Sequence, residues 1–270
     1  MTCNLQGPSA AHFGLGNQMF GVAASLSYAH DHKKKAVFPC LIDTKRYGGY
    51  QETMFRKLSL EIPPRDTQFA YYKEPKFSYN ELPKVENLLL EGYFQSEKYF
   101  AHNRKMILDV FEFPEDVRNY SHLKYSRLID MDNTVSVHVR RGDYITDFNG
   151  CFEILGGEYY DDAFSRFPKN SVFVFFGENP EDLDHCRQTM GRNKSFYVEG
   201  ESDIVDMYLM SRMKNNIIAN SSFSWWAAWL NTFEDKKVIA SQKWFGHDHP
   251  TLSDNDEVTK DLIPSGWERI

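Results

Sequence analysis

Cysteine is scarce in this sequence, and long apolar runs are missing. Its four cysteines, Cys3, Cys40, Cys151 and Cys186, lie far apart and in no metal-binding spacing. A disulfide scaffold carries more cysteines in a shorter chain, so we expect reduced thiols and a cytoplasmic protein. No apolar run approaches the roughly 20 residues that span a bilayer, and the N-terminus lacks the charged start and apolar core of a signal peptide. The sequence alone leaves open a Golgi-lumen or membrane-associated fragment.

Positive charge is also in deficit, with 31 basic against 38 acidic residues and a net charge of −7. A general nucleic-acid binder would show a basic surplus gathered on one face, so we expect no nucleic-acid partner. Disorder is excluded in turn, because 41% of the 270 residues are hydrophobic and 15% are aromatic, which easily supplies a core. The length suits one large domain or two modest ones.

From residue 134 onward, short apolar strands alternate with helices. Strands are predicted at residues 135–139, 172–176, 195–198, 216–219 and 237–240, and helices at 158–167, 181–189, 203–213 and 224–233. Apolar strands that alternate with helices predict a parallel sheet covered on both faces. Ligands of such sheets sit beyond the carboxyl ends of the strands. We therefore assign residues 130–270 to a nucleotide-binding domain.

The first half of the chain is less regular. A glycine turn at residues 14–18 precedes a predicted helix at 19–30, and strands are predicted at 36–42 and 87–94. Residues 96–127 are predicted to be mostly helical, with a break at Pro114 because proline interrupts a helix. Residues 1–129 form the predicted first domain.

Two arginines follow the first of these predicted strands, in the stretch VSVHVRRGDY at residues 135–144. Two guanidinium groups held by a rigid strand end can bind a diphosphate through forked hydrogen bonds, which points to Arg140 and Arg141. Gly142 permits a sharp turn, and Asp143 can orient one arginine or accept a proton. The alternative is an exposed strand end with ordinary salt bridges.

A second strand end leads into the stretch ANSSFSWWAAWLN at residues 219–231. Its serines are good helix N-caps, and a helix N-terminus offers free N–H groups to an anion. These serines can form a phosphate site or serve only to cap the helix, and both alternatives remain. We expect Trp225, Trp226 and Trp229 in the core. In the early glycine turn, Asn17 and Gln18 can contact a sugar or nucleotide, or serve only to start the helix.

One acidic pair is typical of a metal site but is in the wrong place. Asp130 and Asp132 spell the D-x-D that often holds a divalent metal on a nucleotide-sugar diphosphate. They precede the strand that ends at Arg140, so we expect them at the opposite edge of the sheet, in a solvated turn. The sequence therefore predicts no metal site.

Together these motifs resemble glycosyltransferase family eleven, fucosyltransferases of the alpha-1,2 type. The matching stretches are GLGNQMF at residues 14–20, HVRRGDY at 138–144 and SSFSWWAAWLN at 221–231, which span most of the chain. The resemblance implies a GT-B-like α/β fold of two Rossmann-like domains facing a donor/acceptor cleft. It implies an acceptor-side domain at 1–129 and a GDP-sugar-binding domain at 130–270. It also implies GDP-fucose as donor, inversion at the anomeric carbon, no metal, and a galactose-containing glycan as acceptor.

The resemblance also implies roles for individual residues. Arg140 and Arg141 hold the donor phosphates and His138 lies beside the nucleotide. The other implied donor contacts are Gly16 and Asn17 of the early motif, Ser221, Ser222 and Ser224 of the late motif, and Asp206, or less favourably Asp203, on the guanine base. Many members read FSDD where this chain reads FGEN at residues 176–179, so no base or ribose contact is assigned there.

The proton acceptor and the exact reaction are less determined. A carboxylate can take the proton of the acceptor hydroxyl, and Asp143 is the first candidate, with Asp147 the second. A fucosyltransferase of another linkage, an enzyme for another GDP-sugar, and a non-catalytic carbohydrate- or nucleotide-binding protein are the alternatives.

Overall fold

The structure is a computed structural model that describes residues 1–4, 14–43, 49–148, 150–192, 194–249, 252 and 256–270. It divides into two units, one of Met1–Pro114 with Glu257–Pro264 and one of Glu115–Asp256 with Ser265–Ile270. The division falls before residues 115–129 rather than after them, because the helix at Glu115–Ile129 packs on a helix of the second unit. None of the helices in the described part of the chain has the length and apolar composition of a membrane span.

The first unit contains a small parallel sheet. Its strands are β1 (Thr2–Asn4), β2 (Ala70–Lys73) and β3 (Leu88–Glu91), with β3 in the centre. Helix α1 (Leu15–Asp31) follows β1, and α2 (Arg104–Val110) follows the 3-10 turns that come after β3. These turns are Glu97–Tyr99 and Ala101–Asn103, and others lie at Pro39–Ile42 and Tyr50–Glu52.

Two expectations for this unit need correction. The strand predicted at residues 36–42 is wrong, since Pro39 begins the 3-10 turn Pro39–Ile42 instead. Proline lacks the N–H that a strand needs for its ladder. The strand predicted at 87–94 is confirmed only over Leu88–Glu91, because Gly92 turns the chain with φ of +153°. Strands β1 and β2 were not predicted.

The second unit is built on six parallel strands in the order β6-β5-β4-β7-β8-β9. The strands are β4 (Thr134–Val139), β5 (Val172–Gly177), β6 (Ser195–Tyr197), β7 (Asn215–Ile217), β8 (Val238–Ala240) and β9 (Glu268–Arg269). The helices are α3 (Glu115–Ile129), α4 (Gly142–Thr146), α5 (Gly157–Ser165), α6 (Pro180–Thr189), α7 (Asp203–Arg212) and α8 (Ser222–Leu230). A short helix α9 at Asp256–Thr259 belongs, after its first residue, to the first unit. The predicted alternation of parallel strands and helices is thus confirmed.

The strand order creates one point at which the direction of the chain through the sheet reverses. From β4 the chain runs to β5 and β6 on one side, and then returns to place β7 on the other side of β4. In open α/β sheets the ligand lies at this switch point, beyond the carboxyl ends of the two strands. The segments that follow β4 and β7 are therefore the first place to look for a site.

Apolar side chains fill the space around these two strands. All six residues of β4 are buried, since the strand is covered on both faces. Helix α8 carries Trp225, Trp226 and Trp229, which are between 0% and 2% exposed. The tryptophans are therefore core residues, as expected.

Candidate active site

Arg140 lies immediately after β4 and is held by a carboxylate three residues on. Its Nε donates to Asp143 Oδ1 at 2.9 Å and its Nη2 donates to Asp143 Oδ2 at 2.6 Å. A second carboxylate, that of Glu178, lies 3.4 Å from Nη2. Both oxygens of Asp143 thus face one guanidinium, which orients the arginine.

Arg141 differs from its neighbour in that its guanidinium has no hydrogen bond or ion pair with any described residue. Its side chain is only partly exposed, and its charge acts on Asp182 and His185 of α6. A guanidinium that forms no ion pair with a described residue, at the carboxyl end of a central strand, is suited to bind an anion.

Asp182 is a buried carboxylate beside this arginine, and the sequence analysis did not identify it. It is 4% exposed, and its Oδ2 has no hydrogen-bond partner among the described residues. Burial raises the pKa of the Asp182 carboxyl, while the N–H groups of Gly142 and Glu178 and the charge of Arg141 act in the opposite direction. The carboxylate therefore joins the start of α6 to the turn that carries the arginines.

The close approach of α6 to β5 depends on a glycine. A Cβ added to Gly177 would lie 2.9 Å from the Cβ of Asp182, so a larger residue would push the helix away. Asn179 caps α6 by accepting the N–H of Asp182 at 2.8 Å. Three signals in the sequence indicate this placement of Asp182, namely the glycine, the cap residue Asn179, and Pro180 in the first helical turn.

His138 lies within β4 and contacts the beginning of α8. It is 4% exposed, its Nδ1 has no partner among the described residues, and its ring centroid is 5.8 Å from that of Phe223. Burial, and next the charge of Arg140, lower the pKa of His138 to about 3. The imidazole is therefore neutral at physiological pH, and the tautomer decides whether Nδ1 donates or accepts.

The start of α8 forms the other side of the switch point. Ser221 caps the helix by accepting the N–H of Phe223 at 3.3 Å, and Ser222 is the first helical residue. Ser224 is 1% exposed, and its hydroxyl donates to the carbonyl of Ser221 at 3.3 Å, so this hydroxyl is buried and already hydrogen-bonded within the protein. Of the three serines that the resemblance implies, the geometry favours Ser221 and Ser222 as anion contacts.

A tyrosine ties the two motif segments together. The Tyr144 hydroxyl donates to the carbonyl of Asn220 at 2.8 Å, and the Arg140 guanidinium lies 5.5 Å from the centre of the Tyr144 ring. The motif that follows β4 and the motif that follows β7 are therefore joined directly.

Asp206 lies in the first turn of α7, the helix that follows β6. Its Oδ1 is buried without a hydrogen-bond partner among the described residues. Burial, and next the charges of Glu201 and Asp203, raise the pKa of Asp206 to about 8. Asp203 is exposed at the start of the same helix. A carboxyl oxygen that is buried without a donor is suited to accept an N–H group from a ligand.

The remaining predicted residues lie elsewhere. In the first unit, Gly16 and Asn17 form the first turn of α1, and Asn17 Oδ1 accepts a hydrogen bond from Gln95 Nε2 at 2.7 Å. Asp147 is exposed at the end of α4.

The acidic pair at residues 130 and 132 precedes β4 and thus lies at the amino edge of its sheet, as expected. The Asp132 side chain is 96% exposed and lies 3.5 Å from Lys214 Nζ. No group of three or more potential metal ligands occurs among the residues that the structure describes.

Comparison with known proteins gives consistent matches. The sequence profile described as "Glycosyl transferase family 11" matches residues 15–261. An alpha-1,2-colitosyltransferase of Escherichia coli is 30% identical over 301 aligned positions, which cover 95% of this chain and 96% of the relative. The O-antigen biosynthesis glycosyltransferase WbnK of Escherichia coli is 39% identical over 171 positions, which cover 58% of this chain and 55% of the relative. A galactoside alpha-(1,2)-fucosyltransferase 1, from Aotus azarae, is 28% identical over 156 positions, or 53% of this chain and 43% of the relative.

Among solved structures, the alpha-1,6-fucosyltransferase NodZ of Bradyrhizobium, in crystals soaked with GDP-fucose, matches with a TM-score of 0.51. The match covers 85% of this chain and 92% of NodZ at 15% sequence identity. At that identity the similarity concerns the fold. It confirms the GT-B-like α/β fold class that the sequence predicts.

Proposed function

The chain belongs to glycosyltransferase family 11, and on this premise we propose that it transfers L-fucose from GDP-fucose to a galactose hydroxyl, the 2-hydroxyl, of a glycan acceptor. The transfer would proceed with inversion and without a metal ion. The observation that carries the proposal is Arg141, whose guanidinium has no ion pair with a described residue at the switch point of the sheet. The donor's diphosphate is the anion that this position suits.

The proposed mechanism follows from where charge develops. When the bond to fucose breaks, negative charge grows on the β-phosphate of the leaving GDP. Arg140, Arg141 and the N–H groups at the start of α8 offer fixed positive charge and donors to that group, as Mg²⁺ does in other enzymes. A single preorganised donor of this kind contributes about 3 kcal/mol to transition-state stabilisation.

Guanine recognition is assigned to Asp206. Its buried Oδ1 lacks a donor among the described residues, and guanine presents an N–H and an amino group on one edge. An ionised carboxylate that accepts both would recover the hydration that Asp206 loses on burial. Gly16 and Asn17 in the first unit, and His138, Ser221 and Ser222 in the second, remain proposed donor contacts; Ser224 is not retained.

The acceptor's proton requires a separate group. Both oxygens of Asp143 face Arg140, so we assign Asp143 to orienting that arginine. Asp147 is exposed and keeps the proposed role of general base. Transfer through an oxocarbenium-like state requires only weak help from such a base.

GDP-colitose is the second candidate donor. It is favoured by one observation, the match of nearly the whole chain to an alpha-1,2-colitosyltransferase. Colitose is fucose without the 3-hydroxyl. A site that hydrogen-bonds this hydroxyl would reject the deoxy sugar by a factor of about 10⁴ or more, whereas an apolar site would discriminate only weakly.

The test is a donor comparison. The protein is incubated with GDP-fucose or GDP-colitose and a galactoside, GDP release is measured, and the product linkage is read by mass spectrometry and NMR. We expect an alpha-1,2-linked fucoside. Tight binding of GDP with no transfer from either donor would instead indicate a non-catalytic nucleotide- or carbohydrate-binding protein.

A further inference from the structure

The carboxyl edge of the sheet in the first unit carries side chains that the proposed donor site does not use. Glu74 follows β2, and the turn at residues 92–95 follows β3, its parallel neighbour. Ligands of α/β sheets bind beyond this edge. The last residue of the turn, Gln95, donates to Asn17, so the turn positions a residue of the family motif.

Glu74 links the ends of the two strands. Its Oε2 accepts the N–H of Tyr93 at 2.7 Å, and its Oε1 accepts the N–H of Phe94 at 3.1 Å. Burial raises the pKa of Glu74 to about 7, although these two N–H groups lower it. A carboxylate has about four acceptor positions, so each oxygen keeps one for a further donor.

The turn after β3 adopts an unfavourable backbone in order to meet Glu74. Phe94 has φ of +50°. Residues other than glycine rarely adopt such a value, and bulky residues least of all. Gly92 has φ of +153°, and a Cβ added there would collide with the Cβ of Glu74. Strain of this kind is typical of ligand clamps and active sites. A simple strand connection would not require it.

Two tyrosines flank the carboxylate. Tyr72 lies two residues before Glu74 and therefore on the same face of the strand, whereas the Tyr71 side chain points to the other face. Burial, and next the charge of Glu74, raise the pKa of the Tyr72 and Tyr93 hydroxyls. Both tyrosines remain partly exposed. Rings with a polar edge beside a carboxylate suit a ligand with one apolar and one hydroxylated face.

We infer that Tyr72, Glu74 and Tyr93 form the subsite for the acceptor sugar, an inference that rests on the proposed transferase function. The ligand is a neutral hexopyranose, because an anionic sugar would be repelled by Glu74. Its adjacent hydroxyls would donate to the two free positions of the carboxylate, while its apolar ring face would lie on a tyrosine. Galactose, with one face of axial hydrogens, has this chemistry.

The matched pair Tyr72→Ala and Tyr71→Ala tests the subsite, since these neighbours lie on opposite faces of one strand. Steady-state kinetics are measured with a galactoside at saturating GDP-fucose. We expect Tyr72→Ala to raise the KM for the acceptor about tenfold, as expected for the loss of one stacked ring. The KM for the donor and the Kd for GDP should stay within about twofold. Tyr71→Ala should leave all three within the same limit.

Galactoside binding seen by saturation-transfer NMR, with GDP present, separates this inference from the proposed function. If wild type transfers nothing but binds the galactoside, and only Tyr72→Ala abolishes the signal, the subsite stands and the transferase proposal falls. Glu74→Gln should weaken the NMR signal of galactoside binding. Thermal melting checks that this variant is folded. The inference is overturned if Tyr71→Ala and Tyr72→Ala behave alike, or if Tyr72→Ala weakens GDP binding as much as acceptor binding.

Discussion

Asp206 gives the sharpest prediction, because its burial fixes both the sign and the size of a stability effect. Its pKa is raised from 3.8 to about 8. Between these values the folded chain keeps a proton that the unfolded chain has released. Stability therefore falls as pH rises through this window, by about 1.4 kcal/mol per pH unit, and below pH 3.8 the effect is absent. By pH 7 the accumulated cost is about 4 kcal/mol.

Asp206→Asn removes this titration while keeping the size of the side chain. Urea unfolding at pH 5, 6, 7 and 8 should show the wild type losing stability relative to the variant with rising pH, with slopes that differ by about 1.4 kcal/mol per unit. Asp132→Asn is the matched control, since this exposed carboxylate lies in the same unit, and its profile should follow the wild type. Parallel profiles for wild type and Asp206→Asn would refute the reasoning.

The same carboxyl should make donor binding depend on protons. Guanine N–H groups favour the ionised form, so binding of GDP to the wild type at pH 7 should release close to one proton. Calorimetry in buffers of different ionisation enthalpy measures this release. Asp206→Asn should abolish it and weaken GDP binding by about tenfold or more, with little change in kcat, because guanine contacts are the same in ground and transition states. A low kcat with unchanged GDP affinity would remove Asp206 from base recognition.

Three further expectations concern the diphosphate site. Arg141→Lys keeps the charge but loses the planar fork, so kcat and kcat/KM should both fall about 100-fold with an unchanged melting temperature. Arg187→Lys, on the exposed face of α6, is the control. If Arg141→Lys turns over like the wild type, the pair of Arg140 and Arg141 has a structural role. Asp182→Asn should lower kcat about tenfold in the wild type but hardly at all in an Arg141→Ala background. Additive losses, or an equal loss in Asp184→Asn, would contradict a positioning role. EDTA should leave transfer unchanged, and an activity restored by Mn²⁺ would instead make Asp132 a metal ligand.

The second unit could be predicted from sequence because each central strand is specified locally. The stretch TVSVHV of β4 is rich in β-branched residues and buried on both faces, and β5 reads VFVFFG. Start signals such as Ser202 before α7 and Asn179 before α6 mark the helices between strands. Where the local signal and the tertiary environment agree in this way, pattern reading succeeds.

The first unit lacks that agreement. Strand β2 exposes three of its four residues, so no alternation marks it, and β1 has only three residues. Residues 36–42 look like a strand by composition, but Pro39 cannot join a ladder. These elements are set by their neighbours in the sheet, which the local sequence does not reveal.

The directions of the side chains in the site could not be predicted from the sequence either. The position of Arg140 and Arg141 at a carboxyl end could be predicted, because both residues directly follow a predicted strand. Whether Ser224 faces outward, or which carboxylate takes Arg140, depends on a helix start and a tight turn whose geometry the sequence does not define to one residue. The pairing of Arg140 with Asp143 therefore had to be observed.

His138, Asp182 and Asp206 share one physical property, which is a buried polar atom that destabilises the folded chain. Nδ1 of His138, Oδ2 of Asp182 and Oδ1 of Asp206 are all buried without a hydrogen-bond partner among the described residues. An unsatisfied buried polar atom costs about 1–3 kcal/mol, and Ser121 Oγ and Asn220 Oδ1 of the same unit share this property. Proteins break local rules of this kind where a ligand supplies the missing partner. The N–H groups of a guanine base would supply such a partner to Asp206, which agrees with the role proposed for this carboxyl.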